Sequence, residues 1–217
     1  MELAEQVDYD GTYLYYRWIA PPDFIVARKR FETANIIPHD GRSISPKQNA
    51  KAHAILGEIG NWSGYKPDEI KPIMKYRFIL AKGYDEFSMS DVDMTTATEF
   101  IEYLIDFCLM NNVPTMFPLF DENVDVYKWV YMCAIHKRCA VNKESCKGKS
   151  VHLHHWKRIG ITGKRKEMIH LNHMVQSLCY RCHDEAHLGQ KSFDEKYKLV
   201  AVKADLEICK KYKLKYK

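Results

Sequence analysis

The strongest constraint on this chain is residues 139–187, where four of the seven cysteines and seven of the ten histidines fall within less than a quarter of the 217 residues. Cys139 and Cys146 form one pair; Cys179 and Cys182 form a second with the tighter Cys-x-x-Cys spacing. Two such pairs suit a closed tetrahedral thiolate site for structural Zn²⁺. Zinc is expected here in preference to a disulfide. The opening MELAEQVDYD is acidic and polar, unlike a secretory leader, and the chain is not a small oxidised framework. A reducing, cytoplasmic setting follows. The gap between Cys139 and Cys146 is wider than the usual two to four residues, and the sequence supplies no reason for it.

The histidines call for a second site. His183 and His187 lie four apart, so on a helix they share a face. His154 and His155 are adjacent, so on a strand they point to opposite faces. One of that pair can join His183 and His187 around an ion while the other activates water, because imidazole titrates near neutrality.

Leu153-His154-His155-Trp156, together with Leu178-Cys179-Tyr180-Arg181-Cys182-His183 and His187, resembles the HNH endonucleases with a ββα-metal core. The resemblance implies His155 as general base and His154, His183 and His187 as ligands of a catalytic divalent ion. The family's middle residue, often Asn, falls here among His170, Asn172 and His173. We favour His173 for orienting the base, with His170 next. His152 is either a further contact or a solvent-facing residue. Phosphodiester hydrolysis needs an aligned water, a cation for the phosphoryl charge and help for the departing oxygen. Mg²⁺ or Mn²⁺ suits that task, and an imidazole-rich site leans toward Mn²⁺, Co²⁺, Ni²⁺ or Zn²⁺.

Charge divides the chain. Residues 130–217 carry 20 Lys and Arg against 8 Asp and Glu, whereas residues 1–129 carry 13 against 20. Affinity for nucleic-acid phosphates should therefore concentrate in the second part. Arg158, Lys164, Arg165 and Lys166 form a basic loop placed to meet phosphates beside the cut. In the tail, Lys alternates with Tyr212, Leu214 and Tyr216, which suits either base stacking or a frayed end. The most apolar stretch, Phe100 to Met110, is interrupted by Glu102 and Asp106, so no membrane span is expected.

Earlier in the chain, Tyr9 to Ala20 reads as strand and Asn35 to Ile37 has strand character. Ser45 should cap a helix opened by Pro46 and continued through Asn49 to Ile59. A second helix starts at Pro67 or, given Pro72, near Lys71, with Ile70, Ile73, Met74, Phe78 and Ile79 as its buried stripe. Further helices are expected over Ala97–Met110, Val126–Ile135 and Phe193–Cys209. Cys133 and His136 are assigned to packing. Arg42, Ser43, Gln48 and Asn49, with the helical order that follows, resemble the Orf or NinB family of phage recombination mediators. That resemblance implies a homodimer that binds single-stranded DNA and a host single-strand DNA-binding protein, with Arg42, Lys47 and Lys51 near DNA.

The expected fold is α+β: a mixed domain over residues 1–117, then a zinc-stapled ββα-metal nuclease domain over 126–217. The expected activity is a divalent-metal-dependent DNA endonuclease acting on phage recombination or replication intermediates, single-stranded or branched, in a host bacterial cytoplasm. The alternative is a non-catalytic, zinc-stabilised DNA-binding accessory protein.

Overall fold

A hairpin, three long helices and a three-stranded sheet flanked by short helices make up a mixed α+β chain. The computed structural model describes residues 4–18, 41–116, 118–121, 124–157 and 169–217. The strand character at Asn35–Ile37 and the basic loop Arg158, Lys164, Arg165 and Lys166 lie outside the described residues.

Strands β1 (Ala4–Tyr9) and β2 (Leu14–Trp18) pair antiparallel. Asp10 makes the turn, its Oδ1 accepting from the amides of Thr12 at 2.9 Å and Tyr13 at 2.7 Å, with Gly11 at φ 92°. The single strand expected from Tyr9 is thus two strands, because a side chain that caps backbone amides favours a turn over extended chain.

Helix α1 (Pro46–Ser63) begins as expected: Ser45 Oγ accepts from the Gln48 amide, and Gln48 Oε1 accepts from the Ser45 amide at 3.0 Å. It runs on past Ile59 until Gly64, at φ 82°, closes it with an amide bond to the Gly60 carbonyl. Helix α2 (Pro67–Lys82) is continuous from Pro67. Pro72 does not end it, because the bond it forfeits is to the Asp68 carbonyl, close to the helix start. Its buried stripe is Ile70, Met74 and Phe78, four apart; Ile73 faces outward at 36% exposure. Helix α3 (Met94–Asn111) starts three residues earlier than expected, since Asp93 accepts from the Thr96 amide at 2.9 Å. Phe100, Ile101, Leu104 and Ile105 are fully buried in it.

Helix α4 (Val126–Ile135) has the expected bounds. Strands β3 (Val151–His155), β4 (Met174–Cys179) and β5 (Val202–Lys203) form an antiparallel sheet with β4 in the middle, His154 opposite Gln176. Helix α5 (Tyr180–Leu188) follows β4 directly, and α6 (Gln190–Tyr197) follows α5. The single helix expected over Phe193–Cys209 is instead the end of α6, then β5, then α7 (Leu206–Lys211). Lys198 at φ 51° stops α6, β5 pairs with β4, and Asp205 caps α7 by accepting from the Ile208 amide at 2.9 Å. The tail turns back, its Lys215 carbonyl accepting from the His170 amide at 2.8 Å. Tyr212 and Tyr216 are half-buried and pack against the core, which ties the tail down.

One set of buried side chains runs from Ala52 to Cys209. Lys51, expected near DNA, is 7% exposed; its ammonium donates to the Leu119 carbonyl at 2.9 Å and meets Asp121 at 2.6 Å. His136 pairs with Asp106 at 2.7 Å and Cys133 is fully buried, which agrees with packing roles for both.

Candidate metal and catalytic centre

The period-2 alternation of β3 sets the site. His154 points inward and is 2% exposed, while His155 takes the opposite face. Helix α5 brings His183 and His187 up on one side, one turn apart. Ring centroids are 4.8 Å apart for His154 and His183, 4.9 Å for His154 and His187, and 4.5 Å for His183 and His187. One nitrogen from each ring lies within 4.8 Å of the others. Burial lowers the pKa of His154 and of His183, and for His183 the neighbouring histidines His154, His187 and His152 push it further down. Neutral rings offer lone pairs, the form in which imidazole binds a cation. His152 is exposed, its ring 6.3 Å from that of His183.

The surroundings of His154 were not legible in the sequence. Its Nε2 lies 2.5 Å from Gln190 Oε1, and its Nδ1 is buried with no hydrogen-bond partner among the described residues. Gln190 in turn contacts Gln176 and Asp194, and Trp156 Nε1 donates to Asp194 Oδ2 at 2.6 Å. No signal in a single sequence marks Gln176, Gln190 and Asp194, which look like ordinary polar helix and strand positions. A buried imidazole nitrogen without a partner costs free energy unless something fills its lone pair. A divalent cation among the three rings would do so, and the donor set therefore fits one.

On the other face, His155 Nε2 lies 2.9 Å from His170 Nδ1. The ring of His173 is 5.9 Å from His155 and 6.2 Å from His170. The hydrogen bond expected from His173 thus belongs to His170. Residues 170–173 turn tightly, with the His173 amide donating to the His170 carbonyl at 3.2 Å and Asn172 at φ 66°, and this turn swings His170 toward His155. Burial, then the neighbouring His173, lowers the pKa of His170.

The four expected cysteines converge, one ligand atom of each within 4.8 Å of the others, and all four are buried free thiols. Cys146 Sγ is 3.7 Å from Cys182 Sγ. A Zn–S bond of about 2.3 Å gives a tetrahedral sulfur–sulfur edge of about 3.8 Å, so the cluster has the dimensions of a zinc site. Two successive turns explain the wide spacing of the first pair: the Asn142 amide bonds the Cys139 carbonyl at 2.9 Å, and the Cys146 amide bonds the Lys143 carbonyl at 2.8 Å. Hydrogen bonding from Cys182, then from the amides of Cys179 and Val141, holds the Cys139 thiol down at about 5 against the effect of burial. Burial and the Cys139 charge push Cys146 up to about 11, and the hydrogen bond Cys182 gives Cys139, then burial, raises Cys182.

Among the expected DNA contacts, Arg42 and Lys47 are exposed on either side of the α1 cap. A cleft of about 290 Å³ between the end of α3 and the cysteine loop is lined by Lys137, Arg138, Lys147 and Lys149, with no carboxylate among the described residues that line it.

A family model described as "Putative HNHc nuclease" matches residues 21–215. The chain belongs to that family. Comparisons with curated proteins and with solved structures found no match. HNH nucleases use metals, and one family match spans both the helical half and the half carrying the histidines and cysteines. Among the described residues no helix is long and apolar enough to cross a membrane.

Proposed function

We propose that this HNH family member is a divalent-metal-dependent DNA endonuclease. The observation that carries the reading is the convergence of His154, His183 and His187, with His155 on the adjoining strand position and hydrogen-bonded to His170. A Mg²⁺ or Mn²⁺ ion held by the three rings would neutralise charge growing on the phosphoryl and departing oxygens. His170, kept neutral by burial, accepts from His155 Nε2–H and so fixes the tautomer in which His155 Nδ1 is basic. His155 then takes a proton from the attacking water, with His170 holding the ring in place. His173 packs nearby as a further neighbour of that pair.

The cysteine cluster would hold Zn²⁺ as a structural staple, and its free thiols suit a cytoplasmic setting. Phosphates would meet Arg158, Lys164, Arg165 and Lys166 and the cationic cleft at Lys137, Arg138, Lys147 and Lys149. Contacts of that type position DNA without reading sequence. In this reading residues 126–217 cut, and residues 1–117, with Arg42 and Lys47, help place the substrate. Recombination or replication intermediates as substrates, a homodimer and a contact with a single-strand DNA-binding protein rest on the resemblance of the first half to recombination mediators.

The test is nicking of supercoiled plasmid, and cleavage of single-stranded, duplex, flap and four-way DNA, in Mg²⁺ or Mn²⁺. Wild type should cut and His155→Ala should cut about 10²–10⁴-fold more slowly, the usual worth of a general base. Tight DNA binding with no cleavage in any divalent ion would instead make the protein a non-catalytic accessory module.

A further inference from the structure

We infer that Asp194, acting through Gln190, selects which nitrogen of His154 faces the metal site. The inference rests on reading His154, His183 and His187 as ligands, and concerns two residues outside that set. Asp194 Oδ1 lies 2.6 Å from Gln176 Nε2 and 3.0 Å from Gln190 Nε2, and Oδ2 lies 2.6 Å from Trp156 Nε1. An ionised carboxylate only accepts, so both glutamines must turn their NH₂ groups toward it. Gln190 also donates to Gln176 Oε1 at 3.1 Å, which holds the same orientation from a second side.

With its NH₂ committed, Gln190 can present only Oε1 to His154, at 2.5 Å from Nε2. A carbonyl oxygen accepts, so His154 must carry its proton on Nε2. A neutral ring has a single ring proton, and Nδ1 is left as a bare lone pair, the buried atom that has no hydrogen-bond partner among the described residues. The opposite tautomer would seal that position with an N–H and could not bind a cation. Gln176 faces His154 across the β3–β4 ladder and is itself fully buried, so water does not replace the hydrogen bonds of its own side-chain amide. Gln190 and Asp194 are positioning residues, one helical turn apart on α6.

The test uses the zinc-loaded full chain. In the absence of added metal, ¹H–¹⁵N correlation of the histidine rings should show the His154 proton on Nε2; finding it on Nδ1 in the wild type overturns the inference and needs no variant. Ni²⁺ titrated calorimetrically should bind wild type at a site lost in His154→Ala. Asp194→Asn and Gln190→Leu should each weaken that binding about 10–100-fold, the usual effect of losing an outer hydrogen bond to a ligand. Asp194→Asn should also show both His154 tautomers, a signature that general loosening of the fold would not produce. Wild type that binds no Ni²⁺ at His154 refutes the ligand reading itself. Normal binding in wild type with unchanged affinity in both variants refutes only the role of Asp194 and Gln190.

Discussion

Zinc loading of the metal-free protein at pH 7 should release at least two protons and fewer than four, although four cysteines take part. The count follows from the unequal thiols. Cys139, held at about 5, is already a thiolate at neutral pH and has no proton to give. Cys146, pushed up to about 11, and Cys182, also raised, must each surrender one. Burial lowers the pKa of the nearby His154 and His183, so those two rings add no proton to the count at pH 7. Calorimetric titration with Zn²⁺ in buffers of different ionisation enthalpy reads the proton number directly. Cys146→Ala should release one proton fewer than wild type. A release of four protons by wild type would show that Cys139 is protonated in the empty cluster, and the proposed network of amide and thiol donors around its sulfur would be wrong.

Three further outcomes are expected. His170→Ala should slow cleavage about 10-fold or more by freeing the base from its hydrogen bond, and should do more harm than His173→Ala; steady-state rates on a plasmid substrate decide, with equal losses contradicting the assignment. Acid should destabilise the metal-free chain: with folded pKa values of His154 and His183 lowered, their contribution is present above about 6.5 and is lost as pH falls through the lower folded values, so thermal melts should shift downward from pH 7 to pH 5. Lys51→Met should be near neutral in urea unfolding. Asp121→Ala should cost about 1–2 kcal/mol, below the full cost of breaking a buried pair because Asp121 is 38% exposed and Lys51 keeps its bond to Leu119.

What the sequence disclosed was what local chemistry dictates. Ser45-Pro46 with Gln48 specifies a helix start within four residues, and the period of two on a strand separates His154 from His155 whatever surrounds them. The cysteine and histidine spacings carry their meaning in the chain itself. What stayed hidden depends on partners far away. Strand β5 is two residues long and exists because β4 offers an edge to Val202 and Lys203. The preference for His170 over His173 is decided by a turn that is anchored elsewhere: the His170 amide bonds Lys215, and the Asn172 amide bonds the Ala204 carbonyl at 2.8 Å. Gln190 and Asp194 sit in a helix of polar residues and read as solvated surface until α6 is laid beside His154.

Both clusters meet at the junction of β4 and α5, and the length of α5 shows why. A helix of nine residues does not hold itself together in water, so the direction in which His183 and His187 point must come from contacts outside it. At its start, Cys179 and Cys182 tie α5 to the cysteine loop; on its flank Ala186 is 2% exposed against the core; just beyond its end, Gln190 reaches His154. The same cysteine loop leads into β3, whose register against β4 opens with Val151 opposite Cys179 and sets His154 opposite Gln176. A cation at the four thiols would therefore fix, from one end, both the strand that carries His154 and the helix that carries its two partners. Three imidazoles drawn from separate elements are held to a common centre most firmly when those elements share such a rigid origin, which is a physical reason for a chain of this family to place four converging cysteines beside three converging histidines.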